Sequence, residues 1–312
     1  MFNYRIYGLL VKSDTKFPEV EEWNAEENSD VRIHKADLNT IHKEIIEYQD
    51  NFAMKKEPGE TAWLVYKYSR ETSIVCFPGK GIFQIINGRT IEYMNEISTN
   101  STEFRQLVLC MCFGILFIQR EQIVIHGSGM TKGGTAFIIS GESGVGKSTL
   151  TNALLGQGYE FMADDAVALT VTDKIYACGA YPQRKLCENI IEYDGYDKEK
   201  LRYIPDGGKI KYGVDMKESY RADKEELRVL LVLSVADIDT VLIEEIQGNE
   251  KLKYIINNLY KRETYKKIGF TTCIFEQCVK IADNISVYEI KRPKDKFSVR
   301  EQVELLKPIL LG

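Results

Sequence analysis

One octapeptide constrains this 312-residue chain more than any other feature: Gly141 to Ser148 has the form G-x-x-x-x-G-K-S. The pattern is typical of a phosphate-binding loop that joins a buried strand to a helix. Ala136 to Ile139 is apolar enough for the strand, and Ser148 to Leu155 suits the first turns of the helix. Because glycines permit the tight left-handed turn and the amides at a helix start attract anions, the sequence predicts a site for phosphate oxygens.

Individual side chains of this segment, the phosphate loop, have predicted roles. We expect Lys147 to reach the β- and γ-phosphates of a nucleotide and the Ser148 hydroxyl to ligate Mg²⁺. The other loop residues predicted to contact the nucleotide are Glu142, Ser143, Gly144, Val145, Gly146 and Thr149. The alternative is a glycine-rich turn that binds nothing, and the strand and helix predicted on either side argue against it.

Two adjacent acids, Asp164 and Asp165, follow a short apolar strand at Phe161 to Ala163. The strand comes so soon after the phosphate loop that the acids are predicted to lie within reach of the γ-phosphate. Because neighbouring strand residues point to opposite faces, we expect one acid to face the metal and the other an acceptor hydroxyl. The alternative is an ordinary turn at a strand end, where Asp is common.

His126 ends the apolar run Ile123 to Ile125 and is one of three histidines in the chain. A short connection leads from this run to the strand of the phosphate loop. Hairpin or meander pairing is therefore predicted to place His126 near the nucleotide. The alternative is a histidine that is packed or bonded to solvent, with no part in chemistry.

Together, His126-Gly127, the phosphate loop and Ala163 to Val167 resemble three blocks of the HPr kinase/phosphorylase family, which is related to phosphoenolpyruvate carboxykinases. The resemblance covers about residues 120–292. It implies that Asp164 takes the proton of an acceptor serine and that Asp165 serves Mg²⁺ together with Ser148. It also implies that His126 stands near the transferred phosphoryl group, that ATP is the donor, and that the protein forms a homo-oligomer.

The sequence departs from the pattern of that family in two segments. Family members carry a Glu in an E-[IL]-R-G segment after the paired acids, whereas Gly179 to Leu186 contains Arg184 and Lys185 but no Glu. The C-terminal Pro- and Gly-containing signature is also missing, and Lys291 to Ser298 stands there instead. These departures argue against phosphorolysis and against HPr itself as the acceptor. From their place in the family pattern, Arg184 and Lys185 are predicted to contact the nucleotide.

The chain is also similar to a divergent branch, the kinases that modify the tails of lasso peptides. This similarity rests on Tyr4 to Leu9, His126 to Ser128, the Y-P-x-x-K-L pattern of Tyr181 to Leu186, and the closing pair Arg292-Pro293. It implies that the acceptor is a serine on a ribosomally made peptide precursor.

Composition limits the remaining classes of function. A hydrophobic content of 44% allows an ordinary core, and the net charge of −5 argues against a general nucleic-acid binder. The apolar run Leu107 to Ile118 is too short to span a bilayer and predicts a buried helix. The seven cysteines form no C-x-x-C pair and no signal peptide is evident, which predicts reduced thiols in a cytoplasmic protein without a membrane partner.

The chain is predicted to be an α/β protein with a β-rich N-terminal module over residues 1–100 and a P-loop kinase domain over residues 101–312, of the HPr kinase/PEP carboxykinase type that the resemblance implies. Asn87-Gly88 predicts a hairpin in the module. The module either binds an extended peptide at a sheet edge or serves as a scaffold. Gly207 to Gly213 either forms a lid over the phosphates or a surface turn.

The predicted function is that of an ATP- and Mg²⁺-dependent serine kinase acting on a peptide or small protein. A GTPase would need an N-K-x-D motif and a transport ATPase an L-S-G-G-Q motif, and neither occurs in the sequence. Two alternatives stay open: an HPr(Ser) kinase, and a regulator that binds nucleotide without transferring phosphate.

Overall fold

The computed structural model describes residues 1–24, 28–48, 64–193, 195–206 and 209–311. These residues form nineteen strands: β1 Phe2–Ile6, β2 Leu9–Ser13, β3 Val31–Lys35, β4 Leu64–Lys67, β5 Thr72–Phe77, β6 Gly81–Ile86, β7 Thr90–Asn95, β8 Val124–His126, β9 Ser128–Lys132, β10 Thr135–Gly141, β11 Glu160–Ala163, β12 Ala166–Val171, β13 Ile175–Ala177, β14 Gln183–Cys187, β15 Arg202–Asp206, β16 Lys209–Asp215, β17 Glu225–Ala236, β18 Leu242–Ile246 and β19 Ser286–Pro293.

The same described ranges contain nine α-helices: α1 Asn39–Tyr48, α2 Thr102–Gln106, α3 Phe113–Gln119, α4 Lys147–Leu155, α5 Glu188–Tyr193, α6 Glu250–Asn257, α7 Arg262–Ile268, α8 Thr272–Asn284 and α9 Val299–Leu311. A π-helical stretch, Leu107–Cys112, joins α2 to α3. The predicted mixed α/β architecture is confirmed, and so is the abundance of strands in the first hundred residues.

The chain divides into two compact units. The first unit comprises Met1–Glu121, Arg184–Val214 and Glu263–Gly269, and the second comprises Gln122–Gln183, Asp215–Arg262 and Phe270–Gly312. This grouping differs from the predicted boundary at residue 100, because helices and strands beyond that residue pack with the N-terminal sheet. For example, α3 packs against β6 of that sheet within the first unit.

The first unit is built on a seven-stranded sheet in the order β1-β2-β3-β7-β6-β5-β4. Phe104 of α2 packs on this sheet, with ring centroids 5.6 Å from Phe83 and 4.9 Å from Tyr93. The predicted hairpin is confirmed: Asn87 and Gly88, with φ of 51° and 62°, connect β6 to β7. Together with Arg89 they form a three-residue connection, and positive φ at both positions is what the central residues of a type I′ turn require.

A buried helical run, Thr102–Gln119, confirms the helix predicted over Leu107 to Ile118. Among the described residues it is the one helix long and apolar enough to cross a membrane by length and composition. It is 72% buried within the structure, as expected for a core helix of a folded unit. The π-helical geometry in its middle was not predicted from the sequence.

The second unit contains a nine-stranded sheet, in which β10 lies between antiparallel β9 and parallel β17. β19 lies parallel to β17 on its other side. Leu150 and Leu154 of α4 pack with Val303 and Leu306 of α9 in a buried cluster on this sheet. The phosphate loop therefore follows β10 at the carboxyl end of three parallel strands, where ligands of α/β sheets commonly bind.

The strand that ends in His126 has a different partner from the one predicted. β9 and β10 form the hairpin, whereas β8 pairs with β12 so that His126 lies opposite Ala166. Ala166 directly follows Asp165 in the chain. His126 is therefore placed beside the paired acids by the β8–β12 ladder and not by a hairpin with the loop strand.

Three predictions fall partly outside the described residues. The composition of Ala62 to Tyr68 predicts a strand, which is observed as β4, with residues 62 and 63 outside. The segment Ile41 to Gln49 predicts a helix, which is observed as α1, with residue 49 outside. Residues 207 and 208 of the predicted lid also lie outside, and the next residues form β16, which pairs antiparallel with β15.

Gly127 lies between β8 and β9, and its Cα is packed closely against the backbone of β10. A Cβ at this position would lie 2.4 Å from the Ile139 carbonyl oxygen, so we expect Gly127→Ala to lower the free energy of unfolding by about 1–3 kcal/mol. Urea denaturation measures the change. In the control Gly156→Ala, φ is −63° and the nearest contact is 3.4 Å, so stability is expected to change by less than about 1 kcal/mol. Equal stability of the two variants would contradict the close packing.

Candidate functional site

The backbone of the phosphate loop depends on glycine for two different reasons. Gly141 (φ 133°) lies against β17, where a Cβ would meet the Leu233 carbonyl oxygen at 2.3 Å. Gly144 (φ 89°) and Gly146 (φ 105°) adopt positive φ, and a Cβ at Gly144 would meet no atom within 4 Å. Gly141 is therefore required by packing, and the other two by the conformation that turns the chain into α4. The predicted strand, loop and helix are confirmed.

Lys147 is the first residue of α4, and its side chain folds back on the loop. Its Nζ donates to the carbonyl oxygens of Gly141 at 2.7 Å and Glu142 at 2.8 Å. Ser148 follows in the first turn of α4, where the helix dipole favours negative charge. The predicted phosphate-binding residues Glu142 to Thr149 thus occupy one continuous turn and helix start.

Asp164 and Asp165 lie in a bend after β11, not in the strand itself. Asp165 has a φ of 71°, so alternation of strand faces does not set the directions of the two side chains, which corrects the reason given from the sequence. The Asp165 carbonyl oxygen accepts a hydrogen bond from the Gly127 N–H at 3.2 Å. The Ser128 hydroxyl donates to Asp164 Oδ1 at 3.2 Å and so orients that carboxylate.

The backbone of His126 is held by two elements. Its N–H donates to the Asn258 carbonyl oxygen at 2.7 Å, and Ser140 Oγ lies 2.5 Å from its carbonyl oxygen. Ser140 Oγ also lies 2.6 Å from Asn258 Oδ1. Because a hydroxyl carries one proton, Ser140 donates to one of these two acceptors at a time. The contacts anchor the end of β8 to the end of α6 and to β10.

The imidazole of His126 is oriented by Asp165 and Tyr260. Its Nδ1 lies 3.0 Å from the Asp165 carbonyl oxygen and 3.6 Å from Asp165 Oδ1. Since a carbonyl oxygen can only accept, this contact requires the proton on Nδ1. The Tyr260 ring stacks on the imidazole, with centroids 6.3 Å apart and planes inclined by 21°.

The pKa of His126 is lowered from its ordinary 6.5 mainly because burial disfavours the charged imidazolium. The Asp165 carboxylate raises the pKa, the Lys147 ammonium lowers it, and the Asp164 carboxylate raises it to a smaller extent. The balance favours a neutral ring at pH 7. The three predicted catalytic residues and Asp165 therefore interact electrostatically within the second unit.

Arg184 and Lys185 lie in β14, and the structure assigns them to the first unit. Both are buried: the relative exposure is 1% for Arg184 and 9% for Lys185. Lys185 Nζ lies 3.4 Å from Cys110 Sγ in the same unit. Their contact with a nucleotide stays a prediction.

The metal assignment to Ser148 and Asp165 also stays a prediction. Within the part of the chain that the structure describes, no group of three or more His, Cys, Asp or Glu side chains could hold a metal ion. Mg²⁺ keeps several waters and commonly uses one or two protein carboxylates together with substrate phosphates. A hydroxyl and a carboxylate are donors of the kind that this ion takes.

Sequence reasoning missed four residues that shape the site: Ser128, Asn258, Tyr260 and Arg292. Ser128 and Arg292 belong to short motifs that were noted, but nothing in those motifs indicates which groups they contact. Arg292 Nε donates to the Val145 carbonyl oxygen of the phosphate loop at 2.7 Å. Asn258 and Tyr260 follow α6, far along the chain from His126, and no local pattern marks them.

Comparisons with known proteins find one family in this part of the chain. The family model of the HPr Serine kinase C-terminal domain matches residues 119–196, so this segment is HPr kinase-like. A protein of Oceanobacillus iheyensis described as HPr kinase/phosphorylase 2 is 50% identical over 48 residues, which are 15% of this chain and 16% of that protein. HPr kinase/phosphorylase of Bordetella pertussis is 38% identical over 80 residues, 26% of this chain and 25% of that protein.

The chain spans about a quarter or less of the curated relatives that it matches. A solved structure, the Hpr(Ser) kinase/phosphatase of Coxiella burnetii, aligns with 60% of this chain and 93% of its own, at 14% identity and a TM-score of 0.29. The similarity to lasso-peptide kinases stays a prediction.

The lowered pKa of His126 can be measured by following its ring resonances by NMR, with His126→Gln to assign them. We expect a pKa below 6.5, which Lys147→Met raises and Asp165→Asn lowers further, because these variants remove the charges that act on the ring. A pKa at or above 6.5 in the wild-type protein, or no response to either variant, would contradict the geometry.

The lowered pKa of His126 also makes the stability of the protein depend on pH. A histidine whose pKa is lower in the folded state contributes stability that is present above pH 6.5 and is lost as the pH falls through the lowered pKa. We expect His126→Gln to reduce the loss of stability on acidification in that interval, measured by urea denaturation at several pH values. Parallel pH profiles for variant and wild type would count against this contribution.

Proposed function

We propose that this chain is an ATP- and Mg²⁺-dependent serine kinase whose acceptor is a peptide or a small protein. The observation that supports it most is geometric: Asp165 Oδ1 lies 3.6 Å from His126 Nδ1, and the adjacent Asp164 is held by Ser128, in the unit that contains the phosphate loop. Phosphoryl transfer needs cationic groups on the phosphates and a carboxylate at the acceptor hydroxyl. One small region of the second unit contains both kinds of group.

The phosphate loop suits a nucleoside triphosphate. Positive φ at Gly144 and Gly146, and open space where a Cβ of Gly144 would stand, leave the backbone accessible to phosphate oxygens. Lys147 would exchange its bonds to the Gly141 and Glu142 carbonyl oxygens for bonds to phosphate, a charge-assisted and therefore stronger contact. Ser148 and Asp165 would hold Mg²⁺, which supplies positive charge to the phosphates.

Asp164 would orient the acceptor serine and take its proton. The Ser128 hydroxyl fixes one oxygen of this carboxylate, so the general base is positioned before the acceptor arrives. His126, neutral at pH 7, would stand beside the transferred phosphoryl group with its Nδ1 proton held by the Asp165 carbonyl oxygen.

Two different acceptors are compatible with the proposed reaction. The names of the matched relatives favour HPr, whereas the segments shared with lasso-peptide kinases favour a ribosomally made peptide precursor. Both are small chains with a serine, so the same chemistry serves either. A cytoplasmic location and a homo-oligomer complete the proposal.

Phosphoryl transfer from γ-labelled ATP with Mg²⁺ tests the function. The acceptors are HPr and any small peptide encoded beside the gene. We expect Asp164→Asn to lower the transfer rate by about 10²- to 10⁴-fold, because a general base contributes that much. Asp173→Asn, at an exposed bend of the second unit, is the matched control and is expected to retain the wild-type rate.

Each outcome of the transfer assay leads to a different conclusion about the protein. A labelled serine on HPr or on the peptide identifies the acceptor, provided that the label is lost in Asp164→Asn. If the protein binds ATP but labels no acceptor, it would be a nucleotide-binding regulator and not a kinase. A wild-type protein that does not bind ATP would overturn the proposal as a whole.

A further inference from the structure

Arg292 lies at the carboxyl end of β19 and reaches the phosphate loop from a distant part of the chain. Its Nε donates to the Val145 carbonyl oxygen at 2.7 Å, and its Nη1 donates to the Pro293 carbonyl oxygen at 3.0 Å. The side chain passes over Gly146, where a Cβ would lie 3.4 Å from Nε. Two carbonyl contacts therefore fix the direction of a half-buried guanidinium against the outside of the loop.

The Val145 side chain is buried in the core of the second unit, and its carbonyl oxygen is the group that Arg292 holds. Val145 lies between Gly144 and Gly146, which both have positive φ and no side chain to restrict the backbone. Gly146 is the N-cap of α4, and no side chain caps the helix there. The Val145 carbonyl is thus a group through which the surrounding fold can hold the turn, and Arg292 binds it.

Peptide geometry links this contact to phosphate binding. In the trans peptide between Val145 and Gly146 the C=O and N–H groups point in opposite directions. When Arg292 holds the carbonyl oxygen on its own side, the Gly146 N–H is directed to the other side. Amides at a loop and helix start bind anions only if they point at them together.

Arginine suits this role better than lysine. Its planar guanidinium donates in fixed directions, so it can bind the carbonyl oxygens of Val145 and Pro293 at once, whereas an ammonium lacks that fork geometry. The neighbouring Lys291 shows the contrast, since its ammonium pairs with Glu244 and Glu289.

We propose that Arg292 is a positioning residue that holds the phosphate loop in its phosphate-binding conformation through the Val145 carbonyl oxygen. This inference rests on the proposed function only in requiring that the loop binds nucleotide phosphates. Its effect is expected on the phosphate part of the ligand and on the local rigidity of the loop.

The test compares Arg292→Gln and Arg292→Lys with Lys291→Gln, which removes the same charge one residue away. Calorimetry gives Kd for Mg²⁺-ADP and for inorganic tripolyphosphate, and amide hydrogen exchange without ligand reports on the loop. For Arg292→Gln we expect Kd for both ligands to rise about tenfold or more, equivalent to about 1.4 kcal/mol per decade, with faster exchange confined to the loop. Arg292→Lys is expected to be intermediate and Lys291→Gln to stay within about twofold of wild type.

A residue that only stabilises the fold would behave differently. It would lower Tm and accelerate exchange throughout the second unit, and that result overturns the proposal, as does unchanged Kd and exchange in Arg292→Gln. If Arg292→Gln alone does not fold, wild-type values of Kd and exchange in Arg292→Lys overturn it. If neither variant folds, Arg292 is structural and the proposal is wrong.

Different results would overturn the proposed function and the role of Arg292. A wild-type protein that binds neither ADP nor tripolyphosphate overturns the function, and loop exchange then decides whether Arg292 holds the loop at all. Where phosphoryl transfer is observed, Arg292→Gln is expected to raise KM for ATP by a larger factor than it lowers kcat. The opposite split would assign Arg292 to the chemical step.

Discussion

The parallel pairing of β10 with β17 is the constraint on which the candidate site depends. It brings Gly141 against Leu233 so closely that only glycine fits, and the chain turns away there into the phosphate loop. β19 continues the parallel order, so its last residues reach the same edge as the loop. Because parallel strands end together, Arg292 can bind a loop carbonyl that lies 147 residues earlier in the chain.

A second ladder, between β8 and β12, places His126 beside the paired acids. It sets His126 opposite the residue that follows Asp165, and the left-handed backbone of Asp165 turns its carbonyl oxygen toward the histidine ring. Burial and the Lys147 ammonium keep the ring neutral, while two carboxylates oppose them. The charge state of His126 therefore reports on the phosphate loop and the acids together.

The matched segment 119–196 contains the phosphate loop, the paired acids and His126, but not Asn258, Tyr260 or Arg292. The matched segment thus holds the residues to which the proposed phosphoryl transfer is assigned, and later segments hold residues that contact them.

Local features of the site could be predicted from the sequence because their causes are local. The G-x-x-x-x-G-K-S spacing, the apolar strand before it and the helix after it identified the loop, and turn chemistry identified the hairpin at Asn87-Gly88. The tertiary structure alone decided that β8 pairs with β12, that Asp165 adopts a positive φ, and that Asn258 and Arg292 reach the site. The Asn258 and Arg292 contacts join residues more than a hundred positions apart, and the β8–β12 ladder pairs His126 with Ala166. The partners are chosen by how sheets and helices pack, which no short pattern records.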